Sequence, residues 1–271
     1  MAATLAVGFD IRIHVYSFVM GSSFAKVSGR AKIATPKEYS RYRAMECLYI
    51  PEFHAEMRRI EVTDDEFRHG KALRLREGSP VMVSNGTGLC AETVVTELHA
   101  RHLLLDCRRL LPGYNEPIHS FHLCIGNLDN KDRLEFLVEK AVELGVRSIT
   151  IVQTRYASQR KLNADRLRTK AIAALKQSRR STLPEIASAT SLSEVVGIMN
   201  ADVHVLCDDH GTRPKRETGT VCLYVGPEGG FHQEETSYLK SLPNMRSWRL
   251  ASSRLRAETA AISALSHVAA W

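Results

Sequence analysis

The apolar positions of the chain come in two textures, and the change between them divides it. From residue 48 to about residue 118 they form short runs separated by tight turns. Val81-Met82-Val83 and Glu92-Thr93-Val94-Val95 flank Asn85-Gly86-Thr87-Gly88, and Asn-Gly between β-prone runs is a hairpin signal. Leu103-Leu104-Leu105 predicts another strand, and Thr63-Asp64-Asp65-Glu66 predicts a helix cap leading into residues 67–73. A small β-barrel is expected here. Pro112-Gly113-Tyr114-Asn115-Glu116-Pro117 is turn chemistry and marks the boundary.

Beyond the boundary, strands alternate with helices. Residues 121–126 predict a strand, and 133–144 a helix with Leu134, Leu137, Val138 and Ala141 on one face and Gly145 at its C-terminal end. Residues 148–153 predict the next strand. A strand, helix and strand at this spacing make a βαβ unit, so the second half is α/β with a mainly parallel sheet. Further on, 165–178 predicts a helix with Leu167, Ala171, Ala174 and Leu175 inward and a basic outer face, and Ser191-Leu192-Ser193-Glu194 a capping box. Then come a strand at 204–207, a polar loop at 208–219, a strand at 221–225, a helix at 233–242, a strand at 247–250 and a last helix at 257–270. That helix is dense in Ala and Ser, which suits close packing in the domain or in a dimer.

The strand at 221–225 breaks into Gly226-Pro227-Glu228-Gly229-Gly230-Phe231. A glycine-rich turn lets backbone amides touch a ligand. It lacks the Lys-Ser/Thr of a phosphate-binding loop and the Gly-x-Gly-x-x-Gly of a dinucleotide fold. Glu228 would repel a polyphosphate and suits ribose hydroxyls or a cationic group, so a nucleoside cofactor without phosphates fits, S-adenosylmethionine being the common one. An ordinary strand-to-helix turn is the alternative.

Gly226-Pro227-Glu228-Gly229-Gly230-Phe231 followed by Leu255-Arg256-Ala257-Glu258-Thr259-Ala260 resembles the C-terminal signature of the ribosomal small-subunit methyltransferase E family, of the SPOUT superfamily. Matching stretches upstream are Lys131-Asp132-Arg133, Glu139-Lys140-Ala141-Val142-Glu143-Leu144-Gly145-Val146, and Gln177-Ser178 with Arg180. The resemblance runs from about Met45 to the end. It implies a PUA-like RNA-binding β-barrel over 45–116 and a SPOUT domain over 117–271 with a deep trefoil knot. It also implies S-adenosylmethionine as cofactor, N3 of a uridine in 16S ribosomal RNA of the small subunit as target, a homodimer, and a cytoplasmic location. Three positions depart from the family pattern: Ala251 and Arg179 stand where Gly is usual, and His232 where a Ser helix cap is usual.

With this resemblance the candidate residues can be named. Leu206, Val225, Gly226, Glu228, Gly229, Gly230, Leu250, Ser252 and Leu255 are expected to hold the cofactor. Methylating an imide nitrogen leaves negative charge on O2 and O4, which a permanently charged guanidinium can stabilise. Arg256 is expected in that role, Glu258 to orient it or act as base, and Thr259 to support the turn; a structural Arg256–Glu258 ion pair is the alternative. Candidate RNA contacts are Arg59, Arg68, His69 and Arg74 in the first domain, and Arg166, Lys170, Lys176, Gln177 and Arg180 in the second.

Charge sharpens that last set. The chain of 271 residues carries +7; residues 1–44 hold seven basic and two acidic side chains, and 155–180 nine basic and one acidic. Concentrated positive charge is what a phosphate backbone can use. Residues 1–44 lack a helix or strand period; an organellar targeting peptide has such a composition, but an upstream misassigned start or a disordered extension is preferred, because Met45 is a plausible start. The six cysteines are scattered without zinc spacing, so neither a disulfide nor a metal is expected, and no apolar run is long enough to span a membrane. A non-catalytic RNA-binding or ribosome-assembly protein, and an enzyme that modifies tRNA, stand as alternatives to the rRNA methyltransferase.

Overall fold

The computed structural model describes residues 45–269, and there the two textures become two sheets. The expectations for residues 1–44 fall outside the described residues. The first sheet contains β1 (Glu46–Tyr49), β2 (Arg59–Val62), β3 (Pro80–Ser84), β4 (Leu89–Leu98) and β5 (Leu103–Pro112), in the order β1-β3-β4-β5-β2. The predicted hairpin is β3–β4, with Ser84 opposite Cys90. Its turn begins with asparagine because the Asn85 side-chain oxygen accepts the Thr87 and Leu89 amides at 2.8 and 3.1 Å. Helix α1 (Asp64–Ala72) starts where expected, but the Thr63 hydroxyl bonds Asp64 Oδ2 at 2.9 Å and does not cap the helix. β1 and β2 are the two ends of the sheet, so among the described residues no ladder between them closes the expected barrel.

The second sheet is wholly parallel. It holds β6 (Ser120–Gly126), β7 (Ser148–Val152), β8 (Glu185–Ala189), β9 (Val203–Thr212), β10 (Thr220–Val225) and β11 (Met245–Trp248), ordered β11-β9-β10-β6-β7-β8. The helices are α2 (Lys131–Glu143), α3 (Ala164–Ser178), α4 (Leu192–Ile198), α5 (Gln233–Lys240) and α6 (Ala257–Ala269). α2, α3 and α6 bury their apolar stripes against one face, around Leu137, Ala171, Leu223 and Leu265, and α4 and α5 cover the other, around Tyr224 and Leu239. α2 starts at Asn130, whose side chain accepts the Asp132 and Arg133 amides. It ends at Gly145, with φ +93° and a missing Cβ that would lie 2.4 Å from Pro117.

Three elements differ from expectation. β8 was not anticipated, because its residues are mostly exposed and carry no apolar alternation. β11 lies at 245–248 rather than 247–250. β9 continues to Thr212 through part of the expected polar loop, but with a break: Ser247 of β11 pairs with Leu206 and the next residue, Trp248, pairs with Thr212. Residues 207–211 therefore swing out of the ladder, and the chain returns where Gly211 crosses β11 so closely that a Cβ would meet the Ser247 carbonyl carbon at 2.6 Å.

A seam joins the two sheets. The tip of the β3–β4 hairpin bonds the segment after α3, Gly88 N–H to the Ser181 carbonyl and Leu183 N–H to the Gly86 carbonyl, both at 2.8 Å. Arg179 takes a left-handed conformation, φ +55°, and its Nε donates to the Met45 carbonyl at 2.6 Å; this bond offsets part of the cost of a side chain where glycine is the easier choice. All six cysteines are free, and burial pushes the Cys90, Cys207 and Cys222 thiols up to about 12, as expected of small apolar fillers. Among the described residues no helix is long and apolar enough to cross a membrane, and no cluster of His, Cys, Asp and Glu could hold a metal.

Candidate active site

The site lies beyond the carboxyl ends of β9, β10 and β11, where open parallel sheets place their ligands. β10 ends at Val225 and the chain turns through the glycine loop. A Cβ on Gly226 would stand 2.8 Å from the Gly230 Cα, and Gly230 has φ +75°, so this tight return requires glycine at both positions. The loop rests on β6, because a Cβ on Gly126 would meet Pro227 Cδ at 2.4 Å. The Glu228 carboxylate accepts the Asp129 amide at 3.3 and 3.4 Å, and its carbonyl accepts Arg254 Nη2 at 3.3 Å. That last bond ties the first loop to the second, residues 249–256.

Between the loops is a cavity of about 690 Å³, within the range of small-molecule sites. Its floor is apolar, from Leu206, Val225, Trp248, Leu250, Leu255 and Ala260; its rim carries Asp208, Asp209, His210, Glu228, Arg254 and Arg256. The excursion of β9 supplies Cys207 through His210; of these, residues 208–210 fall in the stretch expected as polar loop. Lys240 bonds Asp208 at 2.7 Å; burial is the largest single influence and would raise the Asp208 pKa, but the bonds and charges of Lys240 and His210 together outweigh it and hold the carboxyl below its usual value.

These residues fit a nucleoside cofactor. The glycines of the Gly226–Gly230 return leave backbone uncovered, the apolar lining residues suit a purine, and the fixed Glu228 carboxylate suits ribose hydroxyls. The lining contains no lysine to cradle phosphate. Eight of the nine expected cofactor residues line the cavity. The ninth, Ser252, is exposed and faces a neighbouring cleft, and Ser253 lines the cavity in its place.

The catalytic candidates separate. Arg256 lines the cavity, is exposed, and has no side-chain bond or ion pair among the described residues. Glu258 does not reach it. Its carboxylate is buried in the first turn of α6, lies 3.7 Å from Arg133 Nε on α2, and leaves Oε2 without a partner. The alternative Arg256–Glu258 pair is likewise not formed. Thr259 is exposed and off the cavity wall.

Most of the expected RNA contacts have partners inside the protein. Arg180 is 1% exposed. Its guanidinium bonds the Glu116 carboxylate at 2.6 and 3.3 Å and the Val142 and Val146 carbonyls at 2.9 and 3.0 Å, so its donors are engaged inside the fold. Lys176 bonds Glu66 at 2.6 Å across the seam, with 16% of its side chain exposed. Arg166 bonds Glu135 and Lys170 lies 4.0 Å from the same carboxylate. Arg59 pairs with Asp106 and Glu97, and Arg68 with Asp65. His69 is held below its usual pKa by burial and by the charge of Lys176. Arg74 and Gln177 are exposed.

Residues 115–269 match the RNA methyltransferase domain family. The chain is 28% identical over 232 residues to ribosomal RNA small subunit methyltransferase E of Rickettsia conorii, covering 82% of this chain and 93% of that one. It is 30% identical over 142 residues to the Aquifex aeolicus protein of the same name, covering 49% and 61%. Among solved structures it resembles the Neisseria gonorrhoeae ribosomal RNA small subunit methyltransferase E bound to S-adenosyl methionine, with TM-score 0.71 and 23% identity over 82% of this chain and 95% of that one. A putative methyltransferase of Legionella pneumophila with bound cofactor gives TM-score 0.68 at 24% identity, over 82% and 96%. At these identities the structural likenesses speak for the fold.

Proposed function

The chain belongs to the RNA methyltransferase family, and on that premise we propose that it methylates N3 of a uridine in 16S ribosomal RNA of the small subunit, with S-adenosylmethionine as donor. The observation that carries this reading is a single cavity joining a glycine loop that bears a carboxylate to an unpaired arginine, Arg256. A protein that only bound RNA would need neither. The rRNA small-subunit substrate is supported by the names of the relatives.

When bound, the cofactor supplies an electrophilic methyl group on its sulfonium. Gly226, Gly229 and Gly230 would present backbone to it, Leu206, Val225, Leu250 and Leu255 would cover its apolar surface, and Glu228 would hold its ribose. Arg256 does the remaining work on the base: as the N3 proton passes to water in the open cavity and N3 takes the methyl group, its guanidinium donates to the uracil carbonyl oxygen that gains charge. Glu258 acts at a distance, holding the start of α6 to α2 through Arg133 and so fixing where Arg256 stands. We read the first sheet as the PUA-like RNA-binding part, the passage of residues 249–269 beneath the glycine loop as the trefoil knot, the outer side of α6 as a homodimer face, and the cytoplasm as the location.

Nucleoside mass spectrometry and primer extension on ribosomal RNA from cells lacking the protein test the reading. One uridine N3-methyl group should disappear from small-subunit RNA and return with the purified protein and cofactor; an unchanged modification profile refutes it.

A further inference from the structure

Beside the active-site cavity, and sharing Leu250 and Ala251 with it, lies a second cleft of about 630 Å³. Its polar walls are Arg213, Arg249, Ser252 and His267. The β9 excursion builds it: the chain crosses β11 at Gly211, and the Arg249 amide donates to the Thr212 carbonyl at 2.7 Å, which sets Arg213 next to Arg249.

The charges here differ from those on α3. There Arg166, Lys170, Lys176 and Arg180 are matched to Glu135, Glu66 and Glu116. Here Arg249 donates to the Ala251 and Ser252 carbonyls, at 3.2 and 3.4 Å, so its charge is not cancelled by a carboxylate. Arg213 and Lys215 are exposed and have no ion pair among the described residues. Arg254, which lines the neighbouring active-site cavity, bonds only a carbonyl. An unmatched positive cleft draws an anion, and the shared Leu250 and Ala251 place that anion beside the base site.

We propose that the Arg213–Arg249 cleft binds the RNA backbone phosphates next to the target nucleotide, so that the strand lies over the β9–β11 edge while its base turns into the neighbouring cavity. This rests on the reading of the chain as an RNA methyltransferase. Enzymes acting on a base must take it out of the stack, and adjacent grips for phosphate and base do so without reading sequence. On this view the backbone does not follow α3, where Arg166, Lys170 and Lys176 already face carboxylates.

The test is binding of the full chain to a small-subunit rRNA fragment between 0.05 and 0.3 M salt (about those limits, to span the range where phosphate contacts dominate). Variants are Arg213→Gln with Lys215→Gln, the reversal Arg213→Glu, and on α3 the pair Arg166→Gln with Lys170→Gln. Each lost phosphate contact flattens the slope of log affinity against log salt by about 0.7 to 0.9. The first pair should therefore flatten it by about 1.4 to 1.8, or about 25- to 60-fold weaker binding at 0.1 M if binding at 1 M is unchanged. Arg213→Glu should weaken binding further, the α3 pair should leave the slope as it was while lowering the melting temperature by unpairing the buried Glu135, and calorimetric cofactor affinity should hold in all, with melting temperature unchanged in the Arg213 variants. An unchanged slope in the Arg213 variants, or a larger loss from the α3 pair, overturns the proposal. So does a loss confined to the protein-bearing subunit, which would make the cleft a protein contact. Wild-type protein that neither binds nor methylates rRNA fails the functional reading itself, a separate result.

Discussion

Arg180→Met distinguishes a structural arginine from an RNA-binding one. The substitution deletes a guanidinium that is 1% exposed and makes four hydrogen bonds, two to Glu116 and two to backbone carbonyls. Removing one member of a buried ion pair costs about 3–5 kcal/mol, because the other charge stays buried. Two features lower the figure. Glu116 Oε1 keeps the amides of Ser181 and Thr182, at 3.0 and 2.9 Å, and 18% of the Glu116 side chain reaches solvent. Two features raise it, the Val142 and Val146 carbonyls, which lose their only side-chain donor. The effects roughly cancel, and a loss of about 3–4 kcal/mol is expected. At about 2–4 °C per kcal/mol for a chain of this size, the melting temperature should fall by about 6–16 °C, read by calorimetry or circular dichroism. Glu116→Gln should cost less, since the amide can still accept. RNA affinity of the Arg180→Met fraction that stays folded should match wild type. A melting point within a degree of wild type together with weakened RNA binding would refute the assignment and return Arg180 to the RNA face.

Arg256→Ala should slow single-turnover methyl transfer by about a hundredfold, roughly 2.7 kcal/mol, with calorimetric cofactor affinity and melting temperature unchanged; parallel losses in all three would make it structural. Gly226→Ala should abolish cofactor binding in calorimetry, because its Cβ would stand 2.8 Å from the Gly230 Cα, while Gly78→Ala, at an open turn where no atom lies within 4 Å, should leave it intact. His204, buried beside the Tyr224 hydroxyl at 2.9 Å, has its pKa lowered by burial. The unfolded chain therefore takes up this proton first, so stability is full above the unfolded value of about 6.5 and declines as the pH drops through the lower folded value. His69 and His122 shift the same way, so His204→Gln should make the decline in melting temperature below pH 6.5 (about the unfolded pKa) shallower without removing it.

The periodic parts of the fold were legible. α2, α3 and α6 announce themselves by apolar stripes, and the glycine loop by a turn no other residue could make. β8 was hidden because an exposed strand at a sheet edge has no reason to alternate. The role of 207–211 was hidden because a polar segment looks the same in sequence whether it hangs in water or is folded over a cavity; only Gly211 signalled the close crossing. A sum of charges along the chain also leaves out partners for a physical reason. Summing 155–180 counts nine cations, but the carboxylates that face four of them, Arg166, Lys170, Lys176 and Arg180, come from Glu66, Glu116 and Glu135, far away in sequence. The family departures turn out to be compensated locally: Arg179 bonds the Met45 carbonyl, and the His232 ring takes over the helix cap, completed by Glu235. Ala251 is absent from the positive-φ positions, so its methyl meets no backbone penalty there.

The segment that reads as a linker, residues 112–117, contains Glu116, and Glu116 holds the buried Arg180 on the far side of the seam. It is therefore a rivet. Hairpin tip, Met45 carbonyl, Glu66 and Glu116 all fasten the first sheet to the turn after α3, and cutting the chain at the boundary would strand a buried arginine. The first sheet is thus a fixed jig, at one distance and angle from the cavity. An RNA that touches both must bring the matching bend itself, and a flexible strand or a partly assembled subunit can do so where a stiff duplex cannot.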